Sequence, residues 1–188
     1  MPKQKITKEM VVDAAFELAR TDGMEAIMVK NISERLGCSV QPIYSYCRNM
    51  KGLHQDVRDK VREFVRDFVG KRTDPQNIFR STGRAYIQMA KEEPNIFKMS
   101  IQSPREGITS FDDLYQAEAS ECMAEIIAEE LHISASQAKQ LHLNMLIFTM
   151  GLGAIFSVTS PGIDVEEIFK QQETVYEALL QQTLAKEQ

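Results

Sequence analysis

Ser39, Val40, Gln41, Pro42, Tyr44, Ser45 and Tyr46 crowd into eight residues around one apolar side chain, Ile43. A glutamine amide pairs bidentately with an adenine edge, valine and proline touch a thymine methyl, and serine or tyrosine hydroxyls reach phosphate. That mixture of small, polar and aromatic groups suits the major groove of double-stranded DNA. Lys30, Arg48 and Lys51 flank the segment and are candidates for phosphate contacts. Two of the seven have a second use open to them: Tyr46 can tie the segment to the core, and Pro42 can simply start a helix, since no amide partner is lost in a first turn.

Such groups work only when one element presents them together. Val29–Leu36 reads as a short helix with Ile32 and Leu36 on one face; Gly37 ends it, and Ser39 is placed to cap the next helix. Ile43 then points back at Ile32 and Leu36, leaving Val40, Gln41, Pro42, Tyr44 and Ser45 outward, which is a helix-turn-helix arrangement. Ahead of it, Lys3 and Lys5 form a basic arm. Thr7 caps a helix running to residue 21, with Met10, Ala14, Ala15 and Leu18 on its apolar face and Phe16 less central. Behind it, Arg48, Asn49 and Lys51 make a polar turn before a helix over 52–71. Val57, Val61, Phe64, Val65 and Phe68 mark the buried side of that helix, and its charged side reads as plain surface.

The remainder reads as helices throughout. Asp74-Pro75 starts a helix over 75–92, Pro94 ends it, and a short helix follows over 95–101. Ser110 caps a helix over 111–131 and Ser134 one over 135–158; the second is apolar nearly all round and therefore buried on more than one side. Its Gly151, Gly153 and Ala154 admit a close helix neighbour. A break at 159–162 precedes a last helix over 165–185, capped by Asp164. The fold class is all-α, about nine helices, divided at residues 1–52 and 53–188. In the second part Tyr86, Met89, Phe97, Met99, Met123, Met145 and Phe148 come from four helices and are candidates to line a ligand cavity. Glu118 and Glu121 suit either a cationic ligand or, more simply, a solvated face.

The 188 residues carry a net charge of −5, unevenly spread: 14 Lys/Arg against 10 Asp/Glu in residues 1–72, and 8 against 17 thereafter. Only the front half is fitted to approach a polyanion. No apolar run reaches the roughly 18 residues a bilayer span needs, and the start lacks a signal-peptide block, so a cytoplasmic protein is expected. Cys38, Cys47 and Cys122 have neither disulfide-framework nor metal spacing and read as reduced core residues; His132 and His142 are not placed to chelate. No nucleophile stands in a catalytic motif and no glycine loop cradles phosphate, so neither an enzyme nor a cofactor is expected.

Residues 6–53 resemble the DNA-binding domain of the tetracycline-repressor (TetR) family. The likeness is carried by Ala14-Ala15, Leu18, Asp22-Gly23, Ile32, Arg35-Leu36-Gly37, Ser39, Ile43-Tyr44, Tyr46 and Leu53, in matching order and spacing. It implies an N-terminal three-helix helix-turn-helix domain and a C-terminal helical domain that binds a small-molecule effector and dimerises. It also implies repression of transcription at a pseudo-palindromic operator, relieved by the effector. Met150-Gly151-Leu152-Gly153 resembles a dimer-helix pattern of many relatives, and a homodimer joined by the last two helices would use Leu152, Ile155, Phe156, Val175, Tyr176 and Leu179. Three positions depart from the family: Met28 stands where Thr or Ser commonly caps the first motif helix, Met50 where a phosphate-binding Lys is usual, and Cys47 where Phe is usual. These departures motivate an alternative, a dimeric helical regulator that binds a small molecule or a partner protein and DNA only weakly.

Overall fold

Thr7 caps the first helix as expected. In a computed structural model of the chain, which describes residues 6–46, 49–119, 122–160 and 162–185, its side chain accepts from the Met10 N–H at 3.2 Å. Lys3, Lys5, Cys47, Arg48 and Glu121 lie outside the described residues. Helix α1 (Lys8–Asp22) is followed by a 3₁₀ turn (Met24–Ala26), α2 (Val29–Leu36), α3 (Gln41–Tyr46) and α4 (Met50–Gly70). Gly37 takes φ 61° and ψ 33° after α2, the left-handed conformation that only glycine adopts at little cost. The second motif helix begins at Gln41, so Ser39 stands two residues ahead of it and not at its cap. Helix α4 starts two residues early because Asn49, read above only as a turn residue, accepts the Gly52 N–H at 2.8 Å.

Ile43 and Ile32 are completely buried and Leu36 packs against the same core. Burial of each isoleucine stabilises by about 1.5–3 kcal/mol relative to exposure. This contact fixes the angle between α2 and α3. Phe16 is more central than its spacing indicated, since α4 packs on that side of α1 and brings Phe64 to a ring separation of 5.9 Å.

Helix α5 (Ile78–Glu92) begins three residues later than expected. The Asp74-Pro75 segment forms a turn instead: Asp74 accepts the Gln76 N–H on its side chain at 2.9 Å and the Asn77 N–H on its carbonyl at 3.0 Å. Helix α6 (Pro94–Ile101) has Pro94 in its first turn and is fastened at that end to the end of α1. Arg20 Nε donates to Glu93 Oε2 at 2.8 Å, and Asn95 Nδ2 donates to the carbonyls of Arg20 and Thr21 at 3.0 and 2.9 Å.

The expected helix over 111–131 is two helices, α7 (Phe111–Glu118) and α8 (Met123–Leu131), because Ala119 is extended (φ −93°, ψ 149°) and ends the first. That break makes ten α-helices among the described residues in place of nine. Ser134 and Gln137 form a capping box at the start of α9 (Ala135–Phe156), and Asp164 accepts the Glu166 N–H at the start of α10 (Val165–Ala185). Cys122 is exposed, not a core residue.

One core runs without interruption from α1–α4 through α5 and α6 to α9 and α10, and a smaller one joins α8, α9 and α10 around Ile127, Leu141 and Tyr176. The close approach foreseen at Gly153 is made by Phe97 of α6. A methyl group at Gly153 would overlap the ring, with Cε2 and Cε1 at 3.0 and 3.1 Å and Cζ nearer still.

Candidate nucleic-acid interface and internal cavity

Helix α3 turns Ile43 inward and leaves Val40, Gln41, Tyr44 and Ser45 exposed, Tyr44 to 63%. Pro42 is half-buried and Ser39 and Lys51 are exposed. The surface is that of a small reader: an amide, a phenol and aliphatic groups on one convex turn. Two side chains are less free than their types suggest. The Tyr46 hydroxyl donates to the Ile6 carbonyl at 2.9 Å, which ties the end of α3 to the segment just ahead of α1, and the Ser45 hydroxyl donates to the Gln41 carbonyl at 3.1 Å. Lys30 stays largely exposed, with its ammonium 3.9 Å from Glu34. Met28 occupies the position before α2 with extended backbone and no side-chain cap, and is itself exposed, whereas Met50 packs its side chain on the core.

Between α4, α5, α7, α9 and α10 lies a cavity of about 970 Å³, partly open to solvent. Of the seven residues expected to line it, Tyr86, Met123 and Met145 do. Met89, Phe97 and Met99 do not: all three are buried in the main core, because α5 and α6 turn those faces toward α1, α4 and α9. Phe148 is also absent from the lining and packs on the smaller core. The polar lining was not foreseen. Arg62 and Arg66 from α4, Arg80 and Arg84 from α5 and Arg105 all border the space, so two charged residues of α4 belong to the cavity border, while Asp59, Glu63 and Asp67 are the plain surface expected. Both arginine pairs are spaced four apart in the sequence, which places each pair on one helix face and was the available signal.

Glu118 also borders the cavity, where Arg105 pairs with it, and is therefore not on a solvated face. Deeper in, Gln172 Nε2 donates to Thr149 Oγ1 at 2.9 Å, a buried polar pair. His142 Nδ1 lies 2.9 Å from the Tyr115 hydroxyl, and its ring meets Phe79 and Tyr115 edge-on. Burial pushes the His142 imidazole down to about 4, so it is neutral at pH 7. Burial, with the charge of Glu118 adding to it, raises the Tyr86 phenol.

The proposed interface residues divide. Phe156 and Tyr176 are buried in their own chain and are unavailable to a partner, since α9 and α10 pack those faces on the cores. Ile155 is 64% exposed, and Leu152, Val175 and Leu179 are half-buried. Ile147, Gly151 and Ile155 of α9, Val158 just after it, and Gln171, Thr174, Ala178 and Gln182 of α10 are exposed, uncharged and at helical spacing, while Glu166, Glu167, Lys170 and Glu177 of α10 are exposed and charged.

Fold and surface together define an all-helical protein with a helix-turn-helix element and a large cavity in the helices behind it. No family model matches the chain. It is similar to an uncharacterised HTH-type transcriptional regulator of Bacillus subtilis (strain 168), YobS, with 21% identity over 104 residues. The match covers 53% of this chain and 54% of that protein, so the chain spans about half the length of the curated relative it matches. Among the described residues no group of His, Cys, Asp and Glu is arranged to hold a metal ion, and no helix is long and apolar enough to cross a membrane.

Proposed function

We propose that the chain is a TetR-like transcriptional regulator, a homodimeric repressor that leaves a pseudo-palindromic operator when a small molecule fills the cavity behind α4. The observation that carries the reading is the outer face of α3: Ile43 anchors the helix while Gln41 and Tyr44 stand free to meet base edges and phosphate. Similarity to an HTH-type regulator supports the same class. Residues 1–52 form the reader, with Ser39, Val40, Pro42, Ser45, Arg48, Lys30 and Lys51 beside the two anchors, and residues 53–188 hold the cavity and the dimer surface. The uncharged residues at helical spacing on α9 and α10 suit the close packing of two such helices from each subunit into a four-helix bundle around Leu152, Ile155, Val175 and Leu179. An effector that fits one separation of the two readers better than another shifts the population toward that state and changes DNA affinity accordingly.

The test is a gel shift with the DNA upstream of the chain's own gene across a salt series. A specific, salt-sensitive complex that is lost in Tyr44→Ala, with the melting temperature unchanged, is expected. Absence of any such complex at low salt refutes the reading. One observation favours the second reading, of a small-molecule or partner-binding regulator with weak DNA affinity: α2 begins at Met28 without a capping oxygen. Under that reading Tyr44→Ala leaves regulation intact.

A further inference from the structure

We infer that the molecule this cavity takes is an amphipathic organic anion, an apolar body ending in a carboxylate or phosphate; the inference rests on the reading of the cavity as the effector site. Five arginines border the cavity against Glu106, Glu118 and Glu173; three of the five, Arg80, Arg84 and Arg105, come from the acidic part of the chain, which has only 8 basic residues against 17 acidic ones, and Arg62 and Arg66 of α4 add to them.

Every cation on the border is an arginine, whose planar fork of donors matches a carboxylate or phosphate edge. Arg80 and Arg84, one turn apart on α5, converge on the single carboxylate of Glu173 of α10 at 3.0 and 3.5 Å. Two guanidiniums around one carboxylate leave one positive charge uncompensated and several N–H groups unspent. Their planes are held in position by the rings of Tyr176 and Phe169, 4.6 and 5.5 Å from the respective guanidinium carbons. Among the described residues Arg66 on the facing helix makes no ion pair, which adds a second positive charge. The five arginines are exposed, whereas the apolar lining residues Val65, Val69, Ile78, Phe79, Met145 and Leu146 are half-buried or buried, so the head group stays at the rim and the body enters. A cationic ligand would meet the uncompensated charge and is disfavoured.

The experiment is calorimetric titration of the full chain with two matched pairs, decanoate against 1-decanol and 2-naphthoate against 2-naphthamide, with decyl phosphate as a further arm. The anion of each pair is expected to bind at least about tenfold more tightly than its neutral twin. Comparison of decanoate with decyl phosphate tells which head the rim prefers. Arg84→Gln should erase most of the anion's advantage and leave the neutral twin unchanged, whereas Glu173→Gln, which frees both guanidiniums, should tighten anion binding. Neutral twins that bind as well as the anions, no binding by any probe, or a Glu173→Gln variant that loses anion affinity as Arg84→Gln does, each overturns the inference. Neither DNA nor dimerisation is needed for the readout. Anion binding without an operator complex would sink the proposed function alone, and an operator complex without anion binding would sink this inference alone.

Discussion

Replacing Gly153 with alanine tests how α6 sits on α9. Carbon atoms in good contact lie about 3.5–4.0 Å apart, so the Phe97 ring must retreat by roughly 0.5–1 Å or more from the new methyl group. Phe97 is completely buried in the main core and has no solvent to move into. Overpacking of this kind costs about 1–3 kcal/mol, and the better helix propensity of alanine returns up to about 1 kcal/mol. A net loss of about 1–2 kcal/mol follows, which for a chain of this size lowers the melting temperature by roughly 2–8 °C. Thermal and urea unfolding followed by circular dichroism measure it. Gly151→Ala, two residues away with no atom within 4 Å of the added group, is the control and should not destabilise the isolated chain. Adding Phe97→Leu to Gly153→Ala should recover part of the loss, with a coupling of at least about 0.5 kcal/mol. A Gly153→Ala protein that melts at or above the parent refutes this account of the α6–α9 contact.

Lowering the pH should expose His142. It titrates at about 4 in the folded chain against 6.5 when free, so the stability tied to its neutral form is complete above pH 6.5 and is lost as the pH falls toward 4. The loss reaches about 3 kcal/mol at most. His142→Gln should flatten the urea midpoint over that window, and an unchanged slope would mean that other groups cause it. Met28→Thr supplies the oxygen α2 lacks and should stabilise by about 0.5–1 kcal/mol in urea unfolding while tightening DNA binding in a gel shift. Ile155→Glu should cost a monomer less than about 0.5 kcal/mol, yet light scattering should find the particle reduced from twice the 21.4 kDa chain mass to that mass itself. A parent protein that already runs at 21.4 kDa argues against the dimer.

Much of the fold is legible in the residues because local signals agree with packing. Thr7, Gly37, Ser110, Ser134 and Asp164 mark helix ends by capping or by left-handed backbone, and the structure has helix ends at all five. Signals with two local readings failed: Asn49 serves a turn or a cap equally well, and Asp74-Pro75 opens a helix or builds a turn. The break at Ala119 had no glycine or proline to announce it. For the reader, the inward Ile43 settled which side faced out, since one apolar residue on so short a helix leaves little choice. The cavity was harder. Tyr86 and Met89 lie less than one turn apart, yet Met89 is wholly inside the main core while Tyr86 sits at its edge and borders the space, a difference set by which helices pack on α5. Polar residues went unnoticed because arginines at helical spacing look like any wet surface until neighbouring helices enclose them.

Helix α6 is a rod about 12 Å long, knotted to the end of α1 through Glu93 and Asn95, with Ser100 and Ile101 at its other end on the cavity wall. Under the proposed function, sensing and reading share one lever with a fulcrum at Gly153. Undoing the knot with Asn95→Ala and Glu93→Gln should leave a protein that still grips its operator and still takes up its effector, but is deaf, neither site registering what has happened at the other.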